Sequence, residues 1–164
     1  MTEELPRIES VETLVPLTLQ IKWKEGGVST VNLAGWIATG GELLAALAHA
    51  PLFASAHVAE YGTSVAWGED DDWMIDAEHL RLLAEEQAPI DVAAWQEKAR
   101  LSNHEAADLL GVSLSTWNLY KAGELGRGAK VVAIALRAAM RDPLIMQAHY
   151  RPRKAGRPKK EVLA

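Results

Sequence analysis

The side chains that could carry chemistry fall into two groups near the C-terminal end of the chain. One group recurs between residues 113 and 121 at a spacing that places it on the outer face of a helix. The other is a run of six positive charges between residues 151 and 160. Hydroxyl, amide and apolar side chains contact base edges, and basic side chains pair with phosphates. The pattern predicts nucleic-acid contacts from Ser113, Ser115, Thr116, Asn118, Leu119 and Lys121, and from Arg153, Lys154, Arg157, Lys159 and Lys160, with Arg151 as the sixth charge.

The first group requires two helices joined by a tight turn. Ser102 can cap the first helix while Glu105, three residues later, bonds back to the cap's own N–H. Gly111 suits the left-handed position at which a helix ends. Ser113 can then cap the second helix. The predicted helices are Asn103–Leu110 and Leu114–Ala122.

The apolar positions of this stretch predict that the two helices pack against each other. Small side chains lie on the inner face of the first helix, and two aromatic side chains lie one turn apart on the second. The predicted inner set is Ala106, Ala107, Leu110, Val112, Trp117 and Tyr120, which leaves Ser115, Thr116, Asn118 and Leu119 facing outward.

The same stretch resembles the helix-turn-helix of phage-repressor-type regulators. Ala107, Gly111 and Val112 stand at the positions where that family has a small residue, the turn glycine and an apolar residue. Trp117 departs from the family, which has a smaller aliphatic residue there, and the outward positions lack Arg and Gln. The resemblance implies base contacts in the major groove. The alternative is a helical pair kept for packing or partner contacts.

The basic tail has its own resemblance. Gly156-Arg157-Pro158, flanked by basic residues on both sides, resembles an AT-hook, whose Arg side chains enter narrow A·T minor grooves. Ala155 stands where the first such Arg is expected. Nonspecific phosphate contact and a merely solubilising role are the alternatives. The composition from Tyr150 onward predicts a segment that is disordered when free.

Composition and charge restrict the remaining function classes. The chain has 164 residues, about half of them apolar, and no cysteine. Residues 1–126 carry a net charge of −13 and residues 127–164 a net charge of +8, so one end favours polyanions and the other repels them. No membrane span or secretory signal is recognisable, which predicts a soluble cytoplasmic protein. We expect no metal, no cofactor and no enzymatic activity, because the chain shows no nucleophile elbow, no phosphate-binding glycine loop and no histidines at paired ligand spacing. The acidic run Glu69–Asp72 is interpreted as a solvated loop.

The N-terminal part is predicted to be a small α+β domain with an antiparallel or mixed sheet. Its predicted strands are Arg7–Val15, Leu17–Trp23, Val28–Leu33, His57–Tyr61, Thr63–Trp67 and Trp73–Ile75, all in one sheet. Short helices are predicted at Leu33–Ala38 and Gly41–Ala50, the latter ended by Pro51, and a longer one, capped by Asp76, at Ala77–Gln87. Trp23, Trp36, Trp67 and Trp73 are expected in its core.

This part also resembles a bacterial family of small αβ domains of unknown function. The likeness covers roughly residues 6–82 and runs through Pro6–Leu14, Leu17–Leu33, Pro51–Phe53 and Thr63–Leu80. In that family the domain occurs alone or joined to a repressor-like helix-turn-helix, and some members look like halves of toxin–antitoxin pairs. The resemblance implies an architecture and no site residues.

The second domain is predicted to be all-α. Asp91 is predicted to cap its first helix, and Asp142 and Pro143 to begin a short last helix at Leu144–His149. The helix predicted at Ala129–Arg141 is apolar nearly all round. This pattern predicts that the helix is buried on more than one side, as it would be in a homodimer. The predicted organisation is therefore 1–88, an α+β domain that binds a ligand or partner; 89–150, the helix-turn-helix domain; and 151–164, the basic tail.

Two functions remain open at this point. The first is a transcriptional regulator that binds double-stranded DNA, repressor-like in its helix-turn-helix. The second is an antitoxin-like adaptor whose N-terminal domain binds another protein. The salt dependence of duplex binding distinguishes the two functions. Phosphate contacts release counterions, so the affinity of a DNA-binding protein falls with salt concentration, whereas a pure protein adaptor shows no such dependence.

Overall fold

The computed structural model describes residues 4–154 and confirms an α+β fold. The chain divides into two compact units between Ala88 and Pro89. The first unit contains sheets and helices, and the described part of the second contains helices alone.

The first sheet of the N-terminal unit forms as the alternating pattern predicts. β1 (Ile8–Leu14), β2 (Thr18–Trp23) and β3 (Val28–Asn32) are antiparallel in that order. The β2–β3 turn places Gly26 and Gly27 at positive φ, and the N–H of Trp23 donates to the Gly27 carbonyl at 3.1 Å. This turn aligns the inward-facing side chains of the two strands.

A second antiparallel sheet replaces the single sheet predicted for this unit. It consists of β4 (His57–Val58), β5 (Ser64–Trp67) and β6 (Trp73–Asp76). The prediction of a strand through Tyr61 is wrong because a 3₁₀ turn occupies Glu60–Gly62. That turn brings Gly62, at φ +71°, against the backbone of Ile8, where an added Cβ would lie 2.5 Å from the Ile8 carbonyl oxygen. The sheets thus meet through a close backbone approach that only glycine permits.

Of the two short helices predicted between the sheets, the first forms one residue later than predicted and the second does not form as one helix. α1 is Ala34–Thr39, and the segment predicted as one helix contains two 3₁₀ turns, Gly41–Leu43 and Ala45–Ala48. Pro51 lies in the first turn of α2 (Ala50–Phe53) instead of ending a helix, since that position needs no N–H donor.

The last helix of the first unit, α3 (Ala77–Gln87), is capped by Asp76, which accepts the His79 N–H at 2.8 Å as predicted. Its last residue, Gln87, exchanges two hydrogen bonds with the Asn32 backbone, at 2.9 and 2.8 Å, and so ties α3 to β3. Trp36 and Trp73 pack at the edge of the core, and the buried core residues are Ile8, Leu19, Ile21, Trp23, Val31, Leu33, Ile37, Leu47, Phe53, Val65, Trp67, Ile75, Ala77 and Leu80.

In the second unit, residues 89–154 form five helices that pack around one apolar cluster. They are α4 (Val92–Ala99), α5 (Asn103–Leu110), α6 (Leu114–Lys121), α7 (Ala129–Arg141) and α8 (Pro143–His149), with a 3₁₀ turn at Gly126–Gly128. The side chains of Asp91 and Asp142 cap α4 and α8 as predicted. The buried residues are Val92, Trp95, Leu101, Ala106, Ala107, Trp117, Val132, Leu136 and Ala139.

Helix α7 buries one side within the single chain, and burial of its other side in a homodimer stays a prediction. Val132, Leu136 and Ala139 face the core. On the opposite side Val131 is 71% exposed and Ile134 is 53% exposed. The apolar outer face of α7 is therefore open in the single chain.

Two kinds of feature are absent from residues 4–154. No helix in this part of the chain is both long and apolar enough to span a membrane. Nor do three or more His, Asp or Glu side chains converge there as ligands for a metal ion.

Candidate nucleic-acid interface

The α5–α6 pair is held by the local signals that predicted it. The Ser102 N–H donates to Glu105 Oε1 at 3.0 Å, and the Glu105 N–H donates to Ser102 Oγ at 3.1 Å, which completes the capping box. Gly111 adopts φ 69° and ψ 30°, and the Val112 N–H reaches the Ala107 carbonyl at 3.0 Å. These bonds satisfy the free backbone groups at both ends of α5 and fix the direction in which α6 leaves the turn.

Trp117 fills the space behind α6 that a smaller side chain occupies in the resembled family. It is fully buried, and its ring centroid lies 6.2 Å from that of Trp95 in an edge-on arrangement. Its indole N–H donates to Gln96 Oε1 at 2.8 Å, and the Trp95 indole N–H donates to the Leu136 carbonyl at 2.7 Å. Because both indole donors are satisfied, the larger side chain is compatible with a buried position.

The outer face of α6 presents the predicted side chains unequally. Ser115 and Asn118 are exposed, Leu119 is 49% exposed and Thr116 is half-buried. The Ser113 hydroxyl accepts the Thr116 N–H at 3.1 Å and lies 2.9 Å from the Thr116 hydroxyl and 3.1 Å from the Ser115 hydroxyl. The three hydroxyls thus form a local network around the N-cap.

Lys121, in the last turn of α6, makes a side-chain contact with α5. Its ammonium group donates to Asn103 Oδ1 at 3.0 Å, which joins the last turn of α6 to the first turn of α5. This contact assigns Lys121 a positioning role within the pair. A phosphate contact by the same ammonium group would have to share its three donors with Asn103.

Glu105 joins two segments of the second unit, the start of α5 and the segment after α8. Its side chain is fully buried, and Oε2 accepts the Tyr150 hydroxyl at 2.7 Å and the Arg153 N–H at 3.1 Å. Burial alone would raise the pKa of this carboxyl, but the donors from Tyr150, Ser102 and Arg153 outweigh it and lower the pKa to about 2. The carboxylate therefore stays charged at neutral pH and holds the segment after α8 against α5.

Arg153, predicted to contact DNA, pairs with a carboxylate of α5. Its guanidinium donates to both oxygens of Asp108, at 2.5 and 3.0 Å. The prediction of disorder from Tyr150 onward is wrong for Tyr150–Arg153, because Glu105 and Asp108 supply anchors from about 45 positions earlier, which no local pattern reveals. Lys154 is exposed. Arg157, Lys159 and Lys160 lie outside the described residues.

Net charge differs between the two units. Residues 1–88 contain 15 acidic and 4 basic residues, a formal net charge of −11. Residues 89–164 contain 7 acidic and 13 basic residues, a net charge of +6. Residues 89–126, which include the helix-turn-helix, contain 5 acidic and 3 basic residues, so the positive charge of the second unit comes from the residues after 126.

The acidic loop of the first unit engages a neighbouring strand. Asp71 Oδ1 lies 2.6 Å from His57 Nε2. The Ser55 carbonyl, at 3.1 Å from Nδ1, together with Asp71 raises the pKa of His57. The loop thus contributes an exposed ion pair to the acidic unit.

Comparison with known proteins leaves the family open. No family model matches the chain, and no curated protein sequence matches it. The crystal structure of NE0471 from Nitrosomonas europaea ATCC 19718, named as a candidate DNA-binding protein, is similar at 24% identity and a TM-score of 0.47, over 97% of each chain. At these values the similarity supports no conclusion about this chain's fold or function, and the resemblances described under Sequence analysis stay expectations.

Proposed function

We propose that this chain is a DNA-binding protein that places α6 in the major groove of a duplex. The observation that carries the proposal is the outer face of α6. Its exposed Asn118 and Leu119 project from a helix pair whose ends are capped, in a unit of net charge +6. A helix presented in this way has the dimensions and side-chain chemistry that major-groove contacts require.

The C-terminal residues beyond 154 would supply phosphate contacts. Arg157, Lys159 and Lys160 follow a segment that is anchored to α5 through Tyr150 and Arg153. An anchored origin keeps these charges close to the helix pair, which raises their effective concentration at the same duplex. Charges of this kind increase affinity more than sequence specificity.

Transcriptional regulation as a homodimer is the form of this function that fits the chain best. The open apolar face of α7 around Val131 and Ile134 would be covered by a second copy. The first unit, with net charge −11, would then receive a ligand or a partner protein instead of DNA.

A charge placed on the outer face of α6 tests the proposal. Leu119→Glu should lower the affinity of the full chain for duplex DNA at least tenfold, because a carboxylate would face the phosphates. Leu144→Glu is the matched control: Leu144 is 66% exposed on α8 of the same unit and should tolerate the change. Fluorescence anisotropy with labelled random-sequence duplexes at low salt gives both affinities, and equal affinities for the two variants would contradict the role of α6.

An antitoxin-like adaptor is the second candidate, and the acidity of the first unit favours it. Such a protein would bind a basic partner through residues 1–88. If the full chain failed to bind duplex DNA at low salt, the adaptor would become the better proposal.

A further inference from the structure

The hydroxyl network at the start of α6 narrows the set of side chains that can discriminate between bases. Ser113 has one hydroxyl proton and lies within hydrogen-bond distance of both neighbouring hydroxyls. When it donates to Thr116 Oγ1, it accepts from the Thr116 N–H and from Ser115, so its bonding capacity is fully used. Ser115 then offers only acceptor lone pairs, and hydroxyls in general contact either base type without strong preference.

Lys121 uses one of its three ammonium donors within the protein. Its bond to Asn103 holds it at the junction of α5 and α6. Among the predicted contact residues on α6, the exposed amide of Asn118 and the exposed side chain of Leu119 therefore remain.

The chemistry of these two side chains points to one kind of base pair. An Asn amide matches N6 and N7 of adenine, donating through one nitrogen and accepting through one oxygen. A Leu side chain presents methyl groups, whose favourable partner in the major groove is the C5-methyl group of thymine. Asn118 and Leu119 are consecutive, so they are separated by about 1.5 Å along the helix and about 100° around it, and they can meet the same or neighbouring base pairs.

We propose that Asn118 and Leu119 form an A·T-selective contact pair, with Asn118 on adenine and Leu119 on the thymine methyl group. This inference rests on the proposed function and adds to it the kind of base pair that the bound DNA site contains. The duplexes that bind best contain A·T pairs under α6, and Ser115 and Thr116 contribute positioning without base choice.

Modified bases test the pair directly. The full-length protein first selects duplexes from a random-sequence pool, and the selected duplex is then remade in two forms that keep Watson–Crick pairing. Deoxyuridine in place of thymidine removes the C5-methyl group, and 7-deaza-deoxyadenosine removes the N7 acceptor site.

We expect the wild-type protein to lose about fourfold in affinity for each contacted methyl group removed, and about fivefold or more when the Asn118–adenine match is broken. Leu119→Ala should bind the thymine and uracil duplexes equally, and Asn118→Ala should be insensitive to the 7-deaza change. Leu144→Ala and Gln147→Ala, exposed positions on α8, are the matched controls and should retain the wild-type pattern.

The possible failures are distinguishable. Selection of G·C sites, or equal wild-type affinity for the unmodified and both modified duplexes, would overturn the A·T pair while leaving DNA binding in place. Absence of any duplex binding at low salt would overturn the proposed function, and the contact pair with it.

Discussion

Glu105 shows how one buried side chain organises the second unit. Its two oxygens accept donors from the start of α5 and from the segment after α8, so it carries no unsatisfied charge despite complete burial. Bonds to an ionised acceptor are among the stronger hydrogen bonds in proteins. Loss of one donor would leave a buried carboxylate with fewer partners.

The first prediction concerns that donor. Tyr150→Phe removes the hydroxyl and should destabilise the second unit by about 1.5 to 3 kcal/mol. Hydrogen exchange of α5 backbone amides, measured by mass spectrometry at neutral pH, should accelerate accordingly. Tyr61→Phe is the control, because Tyr61 is 75% exposed in the first unit, and it should leave the exchange of α5 amides unchanged. If Tyr150→Phe also left that exchange unchanged, Glu105 would not anchor the segment after α8.

The pH dependence of the same site forms a second prediction. The folded pKa of Glu105, about 2, lies below the ordinary 4.5, so its stabilising contribution is fully present above the ordinary value. It should be lost as pH falls from about 5 toward 2. The protection factors of the α5 amides, which correct the measured exchange rates for the slower intrinsic exchange of amides in acid, should therefore fall on acidification in the wild type, and less so in Tyr150→Phe. Equal acid sensitivity of the two proteins would contradict this assignment.

Gly111 gives a third residue-scale prediction. Its φ of 69° disfavours residues with a Cβ, so Gly111→Ala should cost about 1 kcal/mol or more although the added methyl meets no atom within 4 Å. Gly128→Ala is the matched control, because Gly128 has an ordinary φ of −83° and equally open space. Denaturant unfolding followed at the second unit should separate the two variants, and equal stability would contradict a conformational requirement at Gly111.

At this scale the sequence predicted the side chains whose partners are nearby in the chain. Ser102, Glu105 and Ser113 act within three residues, so spacing alone identifies their bonds. The partners of Lys121 and Arg153 are 18 and 45 residues away, and they depend on how the helices pack. The sequence therefore predicted Lys121 and Arg153 as DNA contacts and did not reveal their hydrogen-bond partners, Asn103 and Asp108.

At the scale of elements, the strongly signalled helices and strands were predictable and the short ones were not. α3, α4, α5 and α8 begin at caps whose side chains are visible in the sequence. The 3₁₀ turns at Gly41–Leu43 and Ala45–Ala48 have no such caps, and apolar spacing alone suggested one continuous helix. The two-sheet arrangement depends on Gly62 and Ile8, which approach each other from distant parts of the chain.

The open face of α7 carries the element-scale prediction. If a second copy covers it, Ile134→Asp should convert a dimer into a monomer, because an unpaired charge would be buried at the interface. Leu144→Asp, at an exposed apolar residue of α8, is the control. Sedimentation velocity at tens of micromolar measures both variants, and a monomeric wild-type protein would contradict the dimer.

At the scale of the whole molecule, the uneven distribution of charge was visible in the sequence and persists in the two units. A first unit of net charge −11 should be repelled by phosphates, whereas the second unit, of net charge +6, should be attracted. Under the proposed function, such a division would let DNA binding and partner binding occupy separate surfaces. Net charge alone did not predict the function of each surface, because electrostatic attraction contributes affinity for a partner without specifying which partner binds.

The salt dependence of duplex binding tests DNA binding most directly. The slope of log affinity against log salt concentration should be clearly negative for the full chain. Deleting residues 155–164, which removes Arg157, Lys159 and Lys160, should flatten it by about 2 to 3 units, at about 0.9 per phosphate contact. Residues 150–153 are retained because they pack against Glu105 and Asp108. A full chain whose duplex affinity is absent or independent of salt would contradict the proposal that it binds DNA.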